Sequence, residues 1–146
     1  MSETVSFPKS ELAKQLSKIR VLGGLSPSQL KQLANWTEVV AYDKGETVVR
    51  RGDKGDGVFL ILEGSAEVRR GKRSIARLGE GQIFGEMSLF DDEPRSADVV
   101  TDSPSKLAVL QKWEFWGFAA GQPGVVLNIL AEMSRRLRAA DDALAE

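Results

Sequence analysis

The stretch Phe84-Gly85-Glu86-Met87-Ser88-Leu89, followed after an acidic turn by Pro94-Arg95-Ser96-Ala97, brings a glycine, a carboxylate and a guanidinium together. A glycine lets the backbone approach a ligand closely, and the free N–H groups of a helical turn that begins after it favour negative charge. The planar fork of Arg95 suits phosphate oxygens, whereas the carboxylate of Glu86 is better suited to accept hydrogen bonds from hydroxyl groups. We therefore expect this stretch to bind a phosphate that carries hydroxyl groups, such as a sugar phosphate or a nucleotide.

The same residue types also suit a simpler interpretation in which no ligand binds. Gly85 would then be an ordinary turn glycine, and Glu86 and Arg95 would form a surface ion pair that contributes about 0–1 kcal/mol. The residues of this stretch alone leave both interpretations open.

Outward from this stretch, short apolar runs separated by Gly, Asp and Pro predict a β-rich centre. Their number and close spacing favour a small antiparallel β-barrel or jelly roll, whose interior would form the floor beneath a ligand. The predicted strands are residues 39–42, 47–49, 58–62, 66–70, 75–78, 98–101 and 106–110.

Helical patterns precede and follow the predicted strands. Ser26-Pro27-Ser28-Gln29 has the residues of a capped helix start. Residues 113–120 and 125–146 predict a C-terminal helix pair, with a hinge at Gly121-Gln122-Pro123-Gly124. The last helix carries apolar residues at the alternating spacing of a coiled-coil seam, namely Val126, Leu130, Met133, Leu137, Ala140 and Leu144. Such a seam favours a homodimer, and the alternative is that the same residues fold back over the barrel.

A known family has the same order of residues. Phe-Gly-Glu-hydrophobic-small-Leu at residues 84–89, followed by Arg95-Ser96-Ala97, resembles the phosphate-binding cassette of the cyclic-nucleotide-binding domain family. The resemblance covers residues 20–140, because glycines at 45, 52, 55, 57, 64, 79 and 81 fall where the family turns its strands. It implies a mainly β fold with flanking α-helices, in which an antiparallel β-barrel or jelly roll lies between N-terminal helices and a C-terminal helix pair.

The resemblance also implies roles for individual residues. It assigns Glu86 to a ribose 2′-hydroxyl and Arg95 to the exocyclic phosphate oxygens. Backbone N–H groups would bind the same phosphate at Gly85, Met87, Ser88, Ser96 and Ala97. Beneath the sugar and base, the inner face of the barrel would supply Val68, Ala76 and Leu78.

The ligand that the resemblance implies is a cyclic mononucleotide. A serine after the arginine, here Ser96, resembles regulators that bind cAMP, so we expect cAMP. An alternative is cGMP, since a hydroxyl at this position can also reach the guanine amino group, and a further alternative is a cyclic dinucleotide at another surface. Ligand binding would change the packing of the C-terminal helices. Their aromatic residues would cap the base or, as their helical spacing favours, belong to the core: Trp113, Phe115, Trp116 and Phe118.

We expect one domain over residues 1–146, with an N-terminal helical segment (1–36), a β-barrel (37–111) that contains the cassette (84–97), and C-terminal helices (112–146). Transcription regulators with such a domain continue into a DNA-binding domain, whereas this sequence stops at Glu146. The expectation is a stand-alone bacterial sensor that signals to a separate effector protein and does not bind DNA directly. The alternative from another class is a structural dimerisation module that has kept the fold and lost its ligand.

Composition bears on the remaining function classes. The sequence contains no Cys and no His, which excludes Cys or His nucleophiles, disulfides and Cys/His zinc sites, and disfavours a cupin-like metalloenzyme. We therefore expect neither enzyme activity nor a metal. The net charge of −1 gives no general attraction to nucleic acid or to anionic lipid. Because no signal-peptide block and no apolar run of about 20 residues is present, the expected location is the cytoplasm.

One local cluster of positive charge departs from this balance. Cationic side chains gather around Gly71, namely Arg69, Arg70, Lys72, Arg73 and Arg77. Alternation along a hairpin would direct several of them to solvent, so we interpret the cluster as a solvated hairpin rather than as a docking patch.

Overall fold

Nine strands and four α-helices make up the computed structural model, which describes residues 2–145. The first antiparallel sheet has the order β1 (Glu3–Val5), β2 (Glu38–Tyr42), β9 (Ser105–Gln111), β4 (Gly57–Glu63) and β7 (Ile83–Phe84). The second has the order β3 (Thr47–Val49), β8 (Asp98–Thr101), β5 (Ser65–Arg70) and β6 (Arg73–Gly79). The two sheets face each other without closing into a barrel, and the predicted mainly β fold with flanking helices is confirmed.

The helices lie before and after the strands. Their bounds are α1 (Lys9–Leu16), α2 (Pro27–Trp36), α3 (Lys112–Ala119) and α4 (Pro123–Ala145), and Arg20–Leu22 and Glu86–Leu89 form short 3₁₀ turns. The predicted start of α2 is confirmed, because the Ser26 hydroxyl accepts a hydrogen bond from the Gln29 N–H and the Gln29 side chain accepts one from the Ser26 N–H. Within residues 2–145, no helix has the length and apolar character needed to cross a membrane.

Strand β4 explains why the core has two parts. Alternate side chains of a strand point to opposite faces, so Leu60 packs against the helices while Ile61 packs between the sheets. Both faces are covered, and six of the seven residues Gly57–Glu63 are buried or half-buried. The core between the sheets reaches the start of the predicted cassette through Phe84, whose ring stacks on that of Phe59 with centroids 5.0 Å apart.

The aromatic residues of α3 have different environments. Phe115 and Phe118 belong to the core, as helical spacing favoured. Trp113, however, is 75% exposed. Trp116 is partly exposed, and its indole N–H donates to the Leu89 carbonyl at 2.9 Å, so α3 is tied to the predicted cassette.

The predicted seam of α4 is divided between two faces. Val126 and Met133 pack against the core, whereas Leu130, Leu137 and Leu144 are exposed. The sheet and the first helices therefore use part of the apolar stripe that we had assigned to a single interface. What covers the exposed leucines stays a prediction.

Candidate functional site

Gly85 ends β7 and begins the 3₁₀ turn of the cassette. Its φ is 80°, in the left-handed region that favours glycine. A Cβ at this position would lie 2.6 Å from Nη1 of Arg95 and 3.0 Å from the Gly57 carbonyl oxygen. Both the backbone conformation and the space around it therefore require glycine. Because Gly85 has no side chain, its backbone beside the guanidinium is not covered by one.

Arg95 crosses the cassette and is held by neutral groups. Its Nη2 donates to the Gly57 carbonyl at 2.9 Å and its Nη1 to the Gly85 carbonyl at 3.2 Å. The guanidinium carbon lies 5.9 Å from the centroid of the Phe59 ring. None of the carboxylates within residues 2–145 forms an ion pair with this half-buried side chain.

Electrostatics agree with this geometry. Burial lowers the pKa of the Arg95 guanidinium, while the charges of Asp56 and Glu86 act in the opposite direction. Because burial disfavours a charge that lacks a close counter-ion, the charged guanidinium gains from an anion that reaches it.

Two backbone donors next to Arg95 are also available. The N–H groups of Ser96 and Ala97 donate no hydrogen bond within the part of the chain that the structure describes. The Arg95 backbone itself is fixed, since its N–H donates to the Asp53 carbonyl at 2.8 Å and its carbonyl accepts from the Gly52 N–H at 2.9 Å. The loop thus holds free donors on a fixed backbone, which is an arrangement suited to an anion.

Glu86 is buried and does not pair with Arg95. Its Oε1 instead accepts a hydrogen bond from Nη1 of Arg136 at 2.7 Å, and Nη2 of Arg136 donates to the Ile83 carbonyl at 2.7 Å. The simpler interpretation of Glu86 and Arg95 as a mutual ion pair therefore does not hold in this structure. The carboxylate connects the cassette to α4.

Arg136 is a site residue that the sequence analysis missed. Arg136 is not among the apolar seam residues of the last helix, but it lies one helical turn after Met133 and Glu132, which face the core. Helical spacing from Val125 through Ile129 to these residues was the signal that could have identified it.

The remaining predicted residues lie on the second sheet and within the cassette. Val68 pairs with Ala76 and Ala66 pairs with Leu78, so Val68, Ala76 and Leu78 share the inner face of the second sheet. Leu78 is buried, Val68 is half-buried and Ala76 is exposed. In the cassette Ser88 is buried, whereas Met87 is 51% exposed. Their contact with a ligand stays a prediction.

An open cleft of about 310 Å³ borders Arg95 on the side of β3. Charged and apolar residues line it, including Arg50, Asp56, Phe59 and Val109. No group of His, Cys, Asp or Glu within residues 2–145 could hold a metal ion. The chemistry that the site offers is recognition of an anion by Arg95 and of hydrogen-bond donors by Glu86.

Comparison with known proteins identifies the family. The sequence model described as "Cyclic nucleotide-binding domain" matches residues 39–121. The chain belongs to the cyclic nucleotide-binding domain family. The Cyclic AMP receptor protein of Thermus thermophilus is 32% identical over 81% of this chain and 57% of the relative. The cAMP-dependent protein kinase regulatory subunit of Colletotrichum orbiculare is 32% identical over 68% of this chain and 26% of the relative.

A solved structure supports the same assignment. A cyclic nucleotide-binding domain from Methylobacillus flagellatus matches with a TM-score of 0.82 and 28% identity, covering 99% of this chain and 88% of that chain. The chain spans 57% of the length of the T. thermophilus relative and a smaller share of the kinase subunit. The cyclic nucleotide-binding domain is a regulatory ligand-binding domain, and its relatives here are regulators.

Proposed function

We propose that this domain binds a cyclic mononucleotide, with cAMP as its ligand, and acts as an allosteric sensor. The observation that carries the proposal is the environment of Arg95. Its guanidinium is half-buried, is held by carbonyl groups, and lies beside the uncovered backbone of Gly85. A cyclic phosphate supplies one negative charge and two exocyclic oxygens, which match a guanidinium fork.

Backbone donors would complete the phosphate site. The free N–H groups of Ser96 and Ala97 follow Arg95 directly, so they are placed to bind the same anion. The predicted contacts of Gly85, Met87 and Ser88 belong to this proposal as well. On the ribose side, the buried carboxylate of Glu86 would accept a hydrogen bond from the 2′-hydroxyl.

The contact between Glu86 and Arg136 suggests how binding is transmitted. A ribose hydroxyl that donates to Glu86 shares its carboxylate with Arg136 or displaces Arg136 from it. Any change in this contact alters the free energy with which α4 packs on the sheet. A ligand that binds the two arrangements of α4 with different affinity shifts the population between them.

The choice of cAMP rests on similarity and on Ser96. Both curated relatives named above carry cyclic AMP in their names. The serine after Arg95 resembles regulators that bind cAMP, as the sequence indicated. The alternatives are cGMP, whose 2-amino group the Ser96 hydroxyl would also reach, and a cyclic dinucleotide.

We further propose that this is a cytoplasmic sensor whose output reaches a separate effector protein. Trp113, 75% exposed at the start of α3, and the leucine face of α4 are surfaces that a partner could contact. The net charge of −1 gives no support for direct DNA binding. The division of residues 1–146 into helical segment, β region with cassette 84–97 and C-terminal helices is part of this proposal.

A second candidate function is a dimerisation module without a ligand. The exposed Leu130, Leu137 and Leu144 favour it, because large exposed apolar residues in a row are typical of an interface. A homodimer through α4 is also compatible with the sensor. The two candidates differ in whether a nucleotide binds.

Calorimetric titration of the purified chain, stripped of carried-over nucleotide, tests the proposal. We expect saturable one-site binding of cAMP, weaker binding of cGMP, and no response to a cyclic dinucleotide. Linear 5′-AMP is the matched control, because it has the same base and ribose with an open phosphate. If no cyclic nucleotide gives a binding signal, the dimerisation module without a ligand is supported instead.

A further inference from the structure

The cationic hairpin contains one exposed side chain that also contacts the loop of the cassette. Arg69 pairs with Glu67 at 2.9 Å and Arg77 with Asp102 at 2.8 Å, both within the second sheet and its adjoining loop. Arg70 reaches the cassette instead, where its Nε donates to the Ser96 carbonyl at 3.2 Å. Arg70 is thus exposed, as the solvated-hairpin interpretation expects, and it makes one contact with the cassette that this interpretation did not predict.

The position of Arg70 at the end of a strand pairing explains this contact. The pairing of β5 with β8 ends at Arg69 and Asp98, and Arg70 is the next residue. Beyond that point the backbone of β5 no longer supplies donors to the chain that leads into β8. The Arg70 side chain supplies one in their place, to a carbonyl two residues before Asp98.

This hydrogen bond fixes a peptide group that the phosphate site uses. In a trans peptide the C=O of one residue and the N–H of the next point in opposite directions, and the peptide after Ser96 is trans. A carbonyl of Ser96 held towards the hairpin therefore directs the Ala97 N–H away from it. That N–H is one of the two free donors beside Arg95.

Charge adds to the geometric effect. The terminal nitrogens of Arg70 donate no hydrogen bond within residues 2–145, so its positive charge is not neutralised by the protein. A cation that bonds to the cassette loop raises the local potential at a bound anion. The loop thus carries the guanidinium of Arg95 and is bonded to the guanidinium of Arg70.

We propose that Arg70 is a positioning residue of the phosphate site, which orients the Ala97 N–H through the Ser96 carbonyl and adds a second positive charge to the cassette. The inference rests on the proposed function, since it assigns a role in phosphate binding.

The test compares Arg70→Met with Arg73→Met in calorimetric titrations with cAMP. Arg73 pairs with Arg70 across the same hairpin and is exposed. Its side chain makes no hydrogen bond or ion pair within the described chain. Its replacement therefore removes the same charge without removing a contact to the cassette. We expect Arg70→Met to weaken binding about 3- to 10-fold, the range of a net hydrogen bond. Arg73→Met should change affinity by less than about 2-fold.

A second variant and a second readout separate geometry from charge. Arg70→Lys keeps the charge but lacks the Nε donor, so we expect an affinity between those of wild type and Arg70→Met, with the salt dependence of wild type. In the free protein, the amide ¹H and ¹⁵N shifts of Ala97 should change in both Arg70 variants and stay unchanged in Arg73→Met. A general loss of stability would not confine the change to this amide.

The outcomes distinguish this inference from the proposed function. If wild type binds cAMP and Arg70→Met has the affinity of Arg73→Met, the role of Arg70 is overturned while the sensor stands. An Ala97 amide that is insensitive to Arg70 would likewise overturn the positioning role. If wild type binds no cyclic nucleotide, both the proposed function and the inference fail.

Discussion

At the scale of single residues, Gly85 combines an unusual backbone conformation with a lack of space. Gly45 has nearly the same φ, 83° against 80°, but nothing lies within 4 Å of the Cβ that an alanine would add there. We expect Gly45→Ala to cost about 1 kcal/mol through backbone strain alone. Gly85→Ala should cost about 1–3 kcal/mol more, because its methyl group would displace the Arg95 guanidinium.

Chemical denaturation and cAMP titration of these two variants check this prediction. Gly45→Ala should keep the affinity of wild type, whereas Gly85→Ala should lose most of it. Equal stabilities and equal affinities for the two variants would show that the space around Gly85 has no role in the site.

The sequence was informative about single residues where chemistry alone limits the choice. A glycine, a carboxylate and an arginine in one short stretch indicated an anion site, and the structure shows Gly85 and Arg95 in contact. The partner of Glu86 could not be predicted in the same way. Arg136 lies 50 residues further along the chain, so only the packing of α4 brings the two together.

At the scale of elements, the attachment of α4 depends on the contact of Arg136 with Glu86 and Ile83. Removing one partner leaves a buried carboxylate without its counter-ion, which is more costly than losing an exposed pair. We expect Arg136→Met to lower the free energy of unfolding by about 1–3 kcal/mol. Arg138→Met, on the exposed side of the same helix, should change it by less than about 0.5 kcal/mol.

Hydrogen exchange along α4 is the more specific measurement for this variant. Exchange should accelerate in the C-terminal half of α4 in Arg136→Met and not in Arg138→Met. The double variant Glu86→Gln/Arg136→Met should recover part of the lost stability, because the buried charge is then gone. Additive effects of the two substitutions would contradict a direct coupling.

Substitutions on the two faces of α4 should have different effects on stability. Leu137 is 64% exposed, so Leu137→Lys should leave the unfolding free energy of a monomer within about 0.5 kcal/mol of wild type. Met133 packs against the core, and Met133→Ala should destabilise the fold by about 1–3 kcal/mol.

Sedimentation equilibrium tests the interface itself. If α4 forms a homodimer, wild type and Met133→Ala should associate and Leu137→Lys should be monomeric. A wild-type chain that stays monomeric at every concentration would contradict a homodimer through α4.

Helices and strands could be predicted from the sequence where their pattern of apolar residues is long enough to repeat. The predicted strands over 47–49 and 98–101 agree with β3 and β8 to the residue, and the other five predicted strands lie within the observed ones. The short strands β1 and β7 were missed. Two or three residues are too few to show the alternation of apolar and polar side chains that predicts a strand, and these segments form strands only because they pair with β2 and β4. The division of the α4 seam into buried and exposed residues could not be predicted for a related reason. Which apolar residues are covered depends on the surface against which the helix packs.

At the scale of the whole molecule, the cassette lies where three parts meet. Arg95 bonds to the first residue of β4 and to the turn after β7, while Glu86 in the same turn bonds to α4. Trp116 of α3 bonds to the end of that turn. A ligand that fills the cassette therefore contacts groups on which the positions of both C-terminal helices depend.

The most direct test of this account is a calorimetric titration of wild type and Arg95→Met with cAMP, side by side. Arg50→Met is the control, since Arg50 lines the neighbouring cleft and makes no side-chain hydrogen bond or ion pair within residues 2–145. We expect one saturable site in wild type and Arg50→Met, and an affinity at least about 10-fold weaker in Arg95→Met, on the scale of a charge-assisted pair. An affinity that Arg95→Met leaves unchanged, or no binding by wild type, would contradict it.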